Sequence, residues 1–540
     1  MPNKSIKLNA DARDALKRGI DVVGDAVGAT IGPRGRNAAI GRAYGPPKQT
    51  NDGVTIAKEI ELIDPFENMG ASIMKDVAER TNDEAGDGTS TAIVLMQALT
   101  SEGMKHLAAG VNVMALRRGM ERAGEDAIRE LKLMAKPVTD DEIVKVATIA
   151  SESADLGVVI ANTIKKVGKS GVVTVEEAHT FGITSEIVEG LEIPRGYISP
   201  AMITDLDKMK AEYRDVAVLV TDKKLVYLPD IMPFLNTLTA GGMKSLVIIG
   251  DVDGEVLKTL LFNKLRGGFS VLAVRPPSYG EERQAILEDI AVTVGAKLVS
   301  DDTGITLEAS ALGKAHRVVA DKDKTTIVGG AGKKEEIDAR VVMLQKQAEE
   351  IDVKFSKSKL LERIGKLTGG VAIIHVGAAT EGDMTYLKDK IEDAVNATKA
   401  AIEEGVVAGG GSALVRVARH LDWAQRGNNA TEAIGYRIVC KALYAPLRQI
   451  CVNAGKREFA LRWRWHHPKS EIDQIIDWIE NGTQTGYNAV TDQLVPDMLE
   501  EGIVDPVKVT RTAIERAVSA SAILITTEVA IVETVKELLK

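Results

Sequence analysis

Two cysteines in 540 residues, Cys440 and Cys451, leave no disulfide framework, so the fold must rest on its hydrophobic core and a reducing compartment is the simpler expectation. Aromatic residues are scarce as well, at 4%, and the apolar content comes mostly from Ala, Val, Ile and Leu, which suits helix packing better than an aromatic binding groove. No run of about 18 uncharged apolar residues occurs, and Met1-Pro2-Asn3-Lys4-Ser5 leads into a charged amphipathic stretch rather than an apolar one. These absences predict a cytoplasmic protein with no membrane span. Positive charge is not in excess: the formal net charge is -9, which argues against a whole-chain role on nucleic acid. The Walker pattern with its lysine is missing too, which excludes a P-loop ATPase. Among the seven histidines no metal-ligand cluster or Ser-His-Asp arrangement stands out, and His466-His467 beside Pro468 reads as an exposed turn.

What is present is enough for two to four domains, because 540 residues exceed the roughly 250 to 300 at which a single core stops growing. Hydrophobic residues at 45% and charged residues at 27% are ordinary for a folded chain. Leu16, Ile20, Val23 and Val27 recur at helical steps until Gly32-Pro33. A second helix fits Pro65 to Glu84, a third opens after Gly88, and a fourth after Asn112 carries Leu116, Met120, Ala123, Ala127 and Leu131 on one stripe. From about Val216 the texture changes to short β-branched runs, Val216 to Val220, Leu246 to Ile249 and Val271 to Val274, spaced like βαβ units. Beyond Lys346 long helices return. Helical, mixed, helical is compatible with three consecutive domains or with a middle domain inserted into one built from both ends, and periodicity does not choose.

Gly86-Asp87-Gly88-Thr89-Ser90-Thr91 lies between two predicted helices and opens the second. Glycines let the backbone approach an anion, and free amides at a helix start attract one. Thr and Ser hydroxyls suit phosphate oxygens, and Asp87 could hold the Mg²⁺ that accompanies a nucleotide. A capped interhelical turn explains the same residues equally well. The loop Thr30-Ile31-Gly32-Pro33-Arg34-Gly35 could line the same anion or simply stop a helix. Asp52, in Asn51-Asp52-Gly53, has a turn signature. Asp393 on a helix, and Asp505 before Pro506, look locally like a solvated residue and a helix start.

Taken in order, the segments Thr30 to Asn37, Asp52-Gly53-Val54, Glu67 to Ala71, Gly86 to Thr91, Gly196 to Pro200, Gly377 to Glu381, Ala400 to Gly411, Gly486 to Ala489 and Asp505-Pro506 resemble a group I chaperonin, the Hsp60 type, from about Ser5 to Val532. The resemblance implies a multidomain α+β fold: a helical equatorial ATPase domain at 1–136 and 405–540, a hinge-like intermediate domain at 137–189 and 371–404, and an α/β apical domain at 190–370 inserted in the middle. It implies ATP and ADP as ligands with Mg²⁺, and K⁺ as an optional further ion. Asp87 becomes the Mg²⁺ ligand; Thr30, Ile31, Gly32, Pro33, Asn51, Gly88, Thr89, Ser90 and Thr91 surround the phosphates; Gly410, Asn488, Ala489 and Asp505 hold the nucleoside end. Asp393, assisted by Asp52, would activate the attacking water. The apical surface, on Tyr197, Met202, Met232, Leu235, Leu257, Leu261 and Phe262, would capture unfolded clients and an Hsp10-type co-chaperonin. A homo-oligomeric ring follows, heptameric by resemblance, single or double, acting neither on membranes nor on nucleic acid.

One apical helix reads by its local pattern as sandwiched between two layers, and as an exposed capture surface only with the resemblance. On Gly254 to Arg266 apolar side chains cover about two thirds of the helix circumference, wider than one core-facing stripe. The sequence also departs from the family's pattern. Asn51 stands where a lysine is usual near the phosphates, which keeps open a ring-shaped binding scaffold with little or no ATP turnover. Ala201 replaces a usual aromatic, and the Gly-Gly-Met tail gives way to Val535 through Lys540. Lys456 to Gly482 is longer than usual and holds Trp463, Trp465 and Trp478; Leu461, Trp463 and Trp465 alternate with Arg462 and Arg464 like a strand, and Ser470 is placed to cap a short helix.

Overall fold

The structure is a computed structural model that describes residues 4–41, 47–168, 171–178, 182–188, 190–206, 209–300, 304–350, 354–378, 380–421, 430–457 and 470–533. The strand expected at Leu461 to Trp465 and the turn at His466-His467 lie outside the described residues. The chain is mixed α and β, and it divides into two compact units: residues 1–161 with 378–540, and residues 162–377 between them.

The first unit is built from long helices whose ends are written locally. Asp64 accepts the amides of Phe66 and Glu67 and so starts Pro65–Ala85, which Gly86 ends in the left-handed region at φ 71. Asn112 accepts the Ala115 amide at the start of Val113–Met134, and Ser470 likewise accepts the Asp473 amide at the start of Glu471–Asn481. Helices Asn9–Gly28, Pro65–Ala85, Thr89–Ala108, Val113–Met134, Ala430–Ala442 and Val507–Leu524 share one core around Leu16, Met74, Ile93, Leu99, Met120 and Tyr436. Close crossings set its geometry. A methyl group on Gly119 would lie 2.1 Å from the Glu432 carbonyl, and one on Gly435 would lie 2.1 Å from that of Leu116, so two helices meet backbone to backbone at reciprocal glycines. A smaller core, with Ile31, Ile450, Cys451, Tyr487 and Ala489, buries Ile472, Ile475, Ile476 and Ile479 of the Glu471–Asn481 helix. Among the described residues no helix is long and apolar enough to cross a membrane.

In the second unit a six-stranded sheet runs in the order Gly190–Ile193, Thr325–Gly330, Gly313–Ala320, Ala211–Val220, Ser245–Ile249, Ser270–Val274. Its last three strands are parallel, linked through the helices Leu228–Ala240 and Gly254–Leu265. From Val216, Leu246 and Val271 onward they are buried on both faces, which explains the unbroken apolar runs there. A separate three-stranded sheet pairs Val371–Gly377 in parallel with Val172–Glu177 and antiparallel with Gly182–Val188. Arg317 joins the two sheets: its buried guanidinium lies 2.8 Å from Glu176 and 3.0 Å from Glu212.

Candidate nucleotide site

Four loops of the first unit converge at the start of the Thr89–Ala108 helix. Gly88, at φ 82, precedes it and offers no side-chain cap, so the first-turn amides of Thr89, Ser90 and Thr91 are left for another acceptor. Against them lies the turn of Asp52: a methyl on Gly53 would stand 2.6 Å from Ser90 Oγ and 2.9 Å from Thr89 Oγ1. Asp52 is both a turn residue and a wall of the site. Its carboxylate accepts from the amides of Val54 at 3.2 Å and Thr55 at 3.0 Å, and from Thr55 Oγ1 at 2.5 Å, which fixes it as the cap of Gly53–Glu59. Asn51, half-buried, precedes it.

The Glu381–Glu404 helix closes another side. A methyl on Gly86 would lie 2.4 Å from Asn396 Cβ, so the loop touches the helix one turn beyond Asp393. Burial pushes the Asp393 carboxyl well above the usual carboxylate range, and the negative charges of Asp87 and Asp52 push it further, while Lys390 opposes them. Asp87 accepts from the Gly88 amide at 2.5 Å. Its carboxyl is also raised, first by burial and then by Asp52, against the pull of the Gly88 amide and Lys390.

Beyond Asp87 the chain Val406–Ala408 pairs with Val504–Pro506, so that Asp505 faces the glycine run. A methyl on Gly409 would lie 3.0 Å from Asp505 Oδ1. Burial, and then Asp87, raise the Asp505 carboxyl to about 7, although the amides of Gly411 and Gly410 donate to it. Gly410, at φ 62, approaches the Tyr487 carbonyl, next to the buried Asn488 and Ala489. Asn488 Oδ1 accepts from Val490 and Thr491 at 2.9 and 3.2 Å and shapes that turn. The loop of Gly32, at φ 83, is tied to the same turn by Arg34, which donates to the Val490 carbonyl at 2.9 Å. Thr30 and Ile31 are buried, the Thr30 hydroxyl donating to the Val27 carbonyl, whereas Gly32 and Pro33 are exposed.

Sequence reasoning selected neither Arg34 nor Lys390. The signal for Lys390 was its place three residues before Asp393, on the same helix face. Among the described residues no three His, Cys, Asp or Glu side chains converge to hold a metal by themselves. The donor set suits Mg²⁺ all the same, since that ion is commonly held by one or two carboxylates together with substrate phosphates and water.

The residues expected at the apical surface do not all face outward. Met202 is fully buried, its sulfur accepting from the Ala273 amide at 3.2 Å, and Leu235 packs into the core of the second unit. Tyr197, Met232, Leu257 and Leu261 are half-buried. Phe262 is 52% exposed, with the Arg266 guanidinium 4.0 Å from its ring centre. Exposed Leu265, Leu206 and Met209 were not selected. The helix carrying Phe262 and Leu265 is joined to the 201–210 segment by Lys264, which donates to the carbonyls of Ala201 and Ile203.

The sequence profile of the TCP-1/cpn60 chaperonin family matches residues 23–535. Among solved structures, the chain is similar to the chaperonin gp146 from the bacteriophage EL 2 (Pseudomonas aeruginosa), crystallised in presence of ATP-BeFx. Crystal form II gives a TM-score of 0.69 at 21% identity, covering 97% of this chain and 98% of that one. Form I gives 0.63 at 21% identity, covering 98% and 99%.

Proposed function

This chain belongs to the TCP-1/cpn60 chaperonin family, and on that premise we propose that it is a ring-forming chaperonin subunit that captures non-native proteins and uses ATP hydrolysis to time their enclosure and release. The observation that carries the ATPase reading is the meeting of Asp52, Asp87 and Asp393 at an uncapped helix start. The negative charge of Asp52 and Asp87, which raises the proton affinity of the buried Asp393, calls for a cation, and the amides beside it call for an anion. A magnesium nucleotide supplies both.

In this reading Asp87 would hold Mg²⁺, whose chemistry when bound is to neutralise charge on the phosphates. Thr89, Ser90 and Thr91 donate to phosphate oxygens, and Asp505, Asn488 and Ala489 shape the nucleoside end. Asp393 accepts the proton of the attacking water, a role that its raised proton affinity favours. Its position on a helix of the proposed intermediate domain makes turnover wait on the placing of that helix. The three-domain division, with boundaries at 136/405 and 189/371, belongs to the same proposal; Gly370 at φ 60 and Gly405 at φ 86 support hinges there. Clients and an Hsp10-type partner would meet the exposed apolar residues around Phe262 and Leu265.

Asn51 favours a second reading, in which the ring binds nucleotide and protein with weak turnover. Phosphate release with ATP, measured beside light scattering, tests both. Oligomers well above two chains and turnover that Asp393→Ala lowers by about 10²-fold or more, with nucleotide binding kept, are expected. Rings that bind ATP without hydrolysis would favour the scaffold. A species of one or two chains would sink the ring.

A further inference from the structure

Glu152 ends the Asp140–Ser151 helix in an unusual way. It takes the left-handed conformation, φ 55 and ψ 21, a place where glycine or asparagine is at ease and a longer side chain is strained. Its amide closes the last turn on the Ile149 carbonyl at 3.2 Å, a bond that any non-proline residue could make. The side chain is what distinguishes a glutamate here: Glu152 Oε1 receives Lys390 Nζ at 2.6 Å.

Lys390 stands one turn before Asp393 on the Glu381–Glu404 helix, and its side chain is only 14% exposed, against 52% for that of Glu152. Its positive charge opposes the burial and the neighbouring carboxylates that push the Asp393 carboxyl up. The ammonium is therefore bonded to a carboxylate at the edge and acts through its charge on Asp393 one turn away. Where Glu152 holds it decides how strongly the centre feels it.

We infer that Glu152 and Lys390 form a positioning pair for Asp393, in which the carboxylate at the strained helix end fixes the Lys390 ammonium beside the hydrolytic site and so sets the charge against which Asp393 works. The inference rests on the ATPase reading above and deepens it. Neither residue touches the reacting atoms; both act through Asp393. It also gives the strain at Glu152 a reason, since left-handed backbone held by a non-glycine residue is retained where the surroundings require that side chain. The competing explanation is an ordinary surface ion pair at a helix end, and such half-exposed pairs contribute little.

The two explanations predict opposite results for Glu152→Asn, which removes the carboxylate and is at ease in left-handed backbone. A positioning role predicts an unchanged or raised melting temperature, KM for ATP within about twofold, and kcat lowered about tenfold. Lys390→Gln should lower kcat by a similar factor, the double variant should be no worse than Lys390→Gln alone, and Lys390→Arg should recover most of the rate. Full turnover in Glu152→Asn, or losses that multiply in the double variant, would overturn the pairing while leaving the ATPase reading intact. Absence of turnover in the unmodified chain would overturn both.

Discussion

Asp505 carries the clearest pH signature of any single residue here. Its carboxyl, ordinarily near 3.8, is raised to about 7 by burial and by Asp87. The folded chain therefore keeps a proton that the unfolded chain has lost by about pH 4. The resulting stabilisation is fully present below that value and declines as pH rises through about 7, by at most about 4 kcal/mol. The carboxyls of Asp87 and Asp393 are shifted in the same direction and add to the trend. In nucleotide-free protein the melting temperature should fall between pH 5.5 and pH 8, and Asp505→Asn, which keeps an acceptor for the Gly410 and Gly411 amides, should flatten that fall. An equally steep profile in the variant would refute the assignment. None of this was legible from local sequence. Asp505 read as a helix start and Asp393 as a solvated helical residue, because their burial is set by tertiary packing, and Asp87, whose charge raises both, and Asp52, whose charge raises Asp393, lie hundreds of positions away in the chain. Asp52 shows the opposite case: its turn signature was correct, and the turn it caps is itself part of the proposed site.

At the scale of elements, the helix Gly254–Leu265 shows how far periodicity reaches. The excess of apolar residues on it was visible in the sequence, but not which of them the fold would take. The core took Val256 and Leu260 and left Phe262 and Leu265 outside. Leu260→Ala should therefore cost about 2 to 5 kcal/mol by opening a cavity. Phe262→Ser should change stability by less than about 1 kcal/mol and yet weaken capture of a denatured client. Denaturant titration and suppression of client aggregation, run on both variants, would separate them; normal capture with Phe262→Ser would move the client surface elsewhere. Helix starts at Asp64 and Asn112 could be found because caps are local. The sheet that pairs Val172–Glu177 with Val371–Gly377 could not, since parallel strands about 200 residues apart leave no mark on the chain between them.

On the scale of the whole molecule, the second unit has a core of its own, centred on the six-stranded sheet, and enters and leaves the first unit at residues 162 and 377. Separate cores give separate cooperative transitions when little apolar surface is shared. The sequence supplies a means of telling them apart. All four tryptophans, Trp423, Trp463, Trp465 and Trp478, fall after residue 377, in the stretch assigned to the first unit, and none lies between 162 and 377. Tryptophan emission in rising urea should then follow the first unit alone, while far-ultraviolet circular dichroism follows both, and the two curves should not coincide. Leu260→Ala should shift the part of the dichroism curve that emission does not see and leave the emission midpoint within error. Superimposable curves that move together in the variant would mean that the units unfold as one. The inserted unit would then be held by its host rather than by its own core.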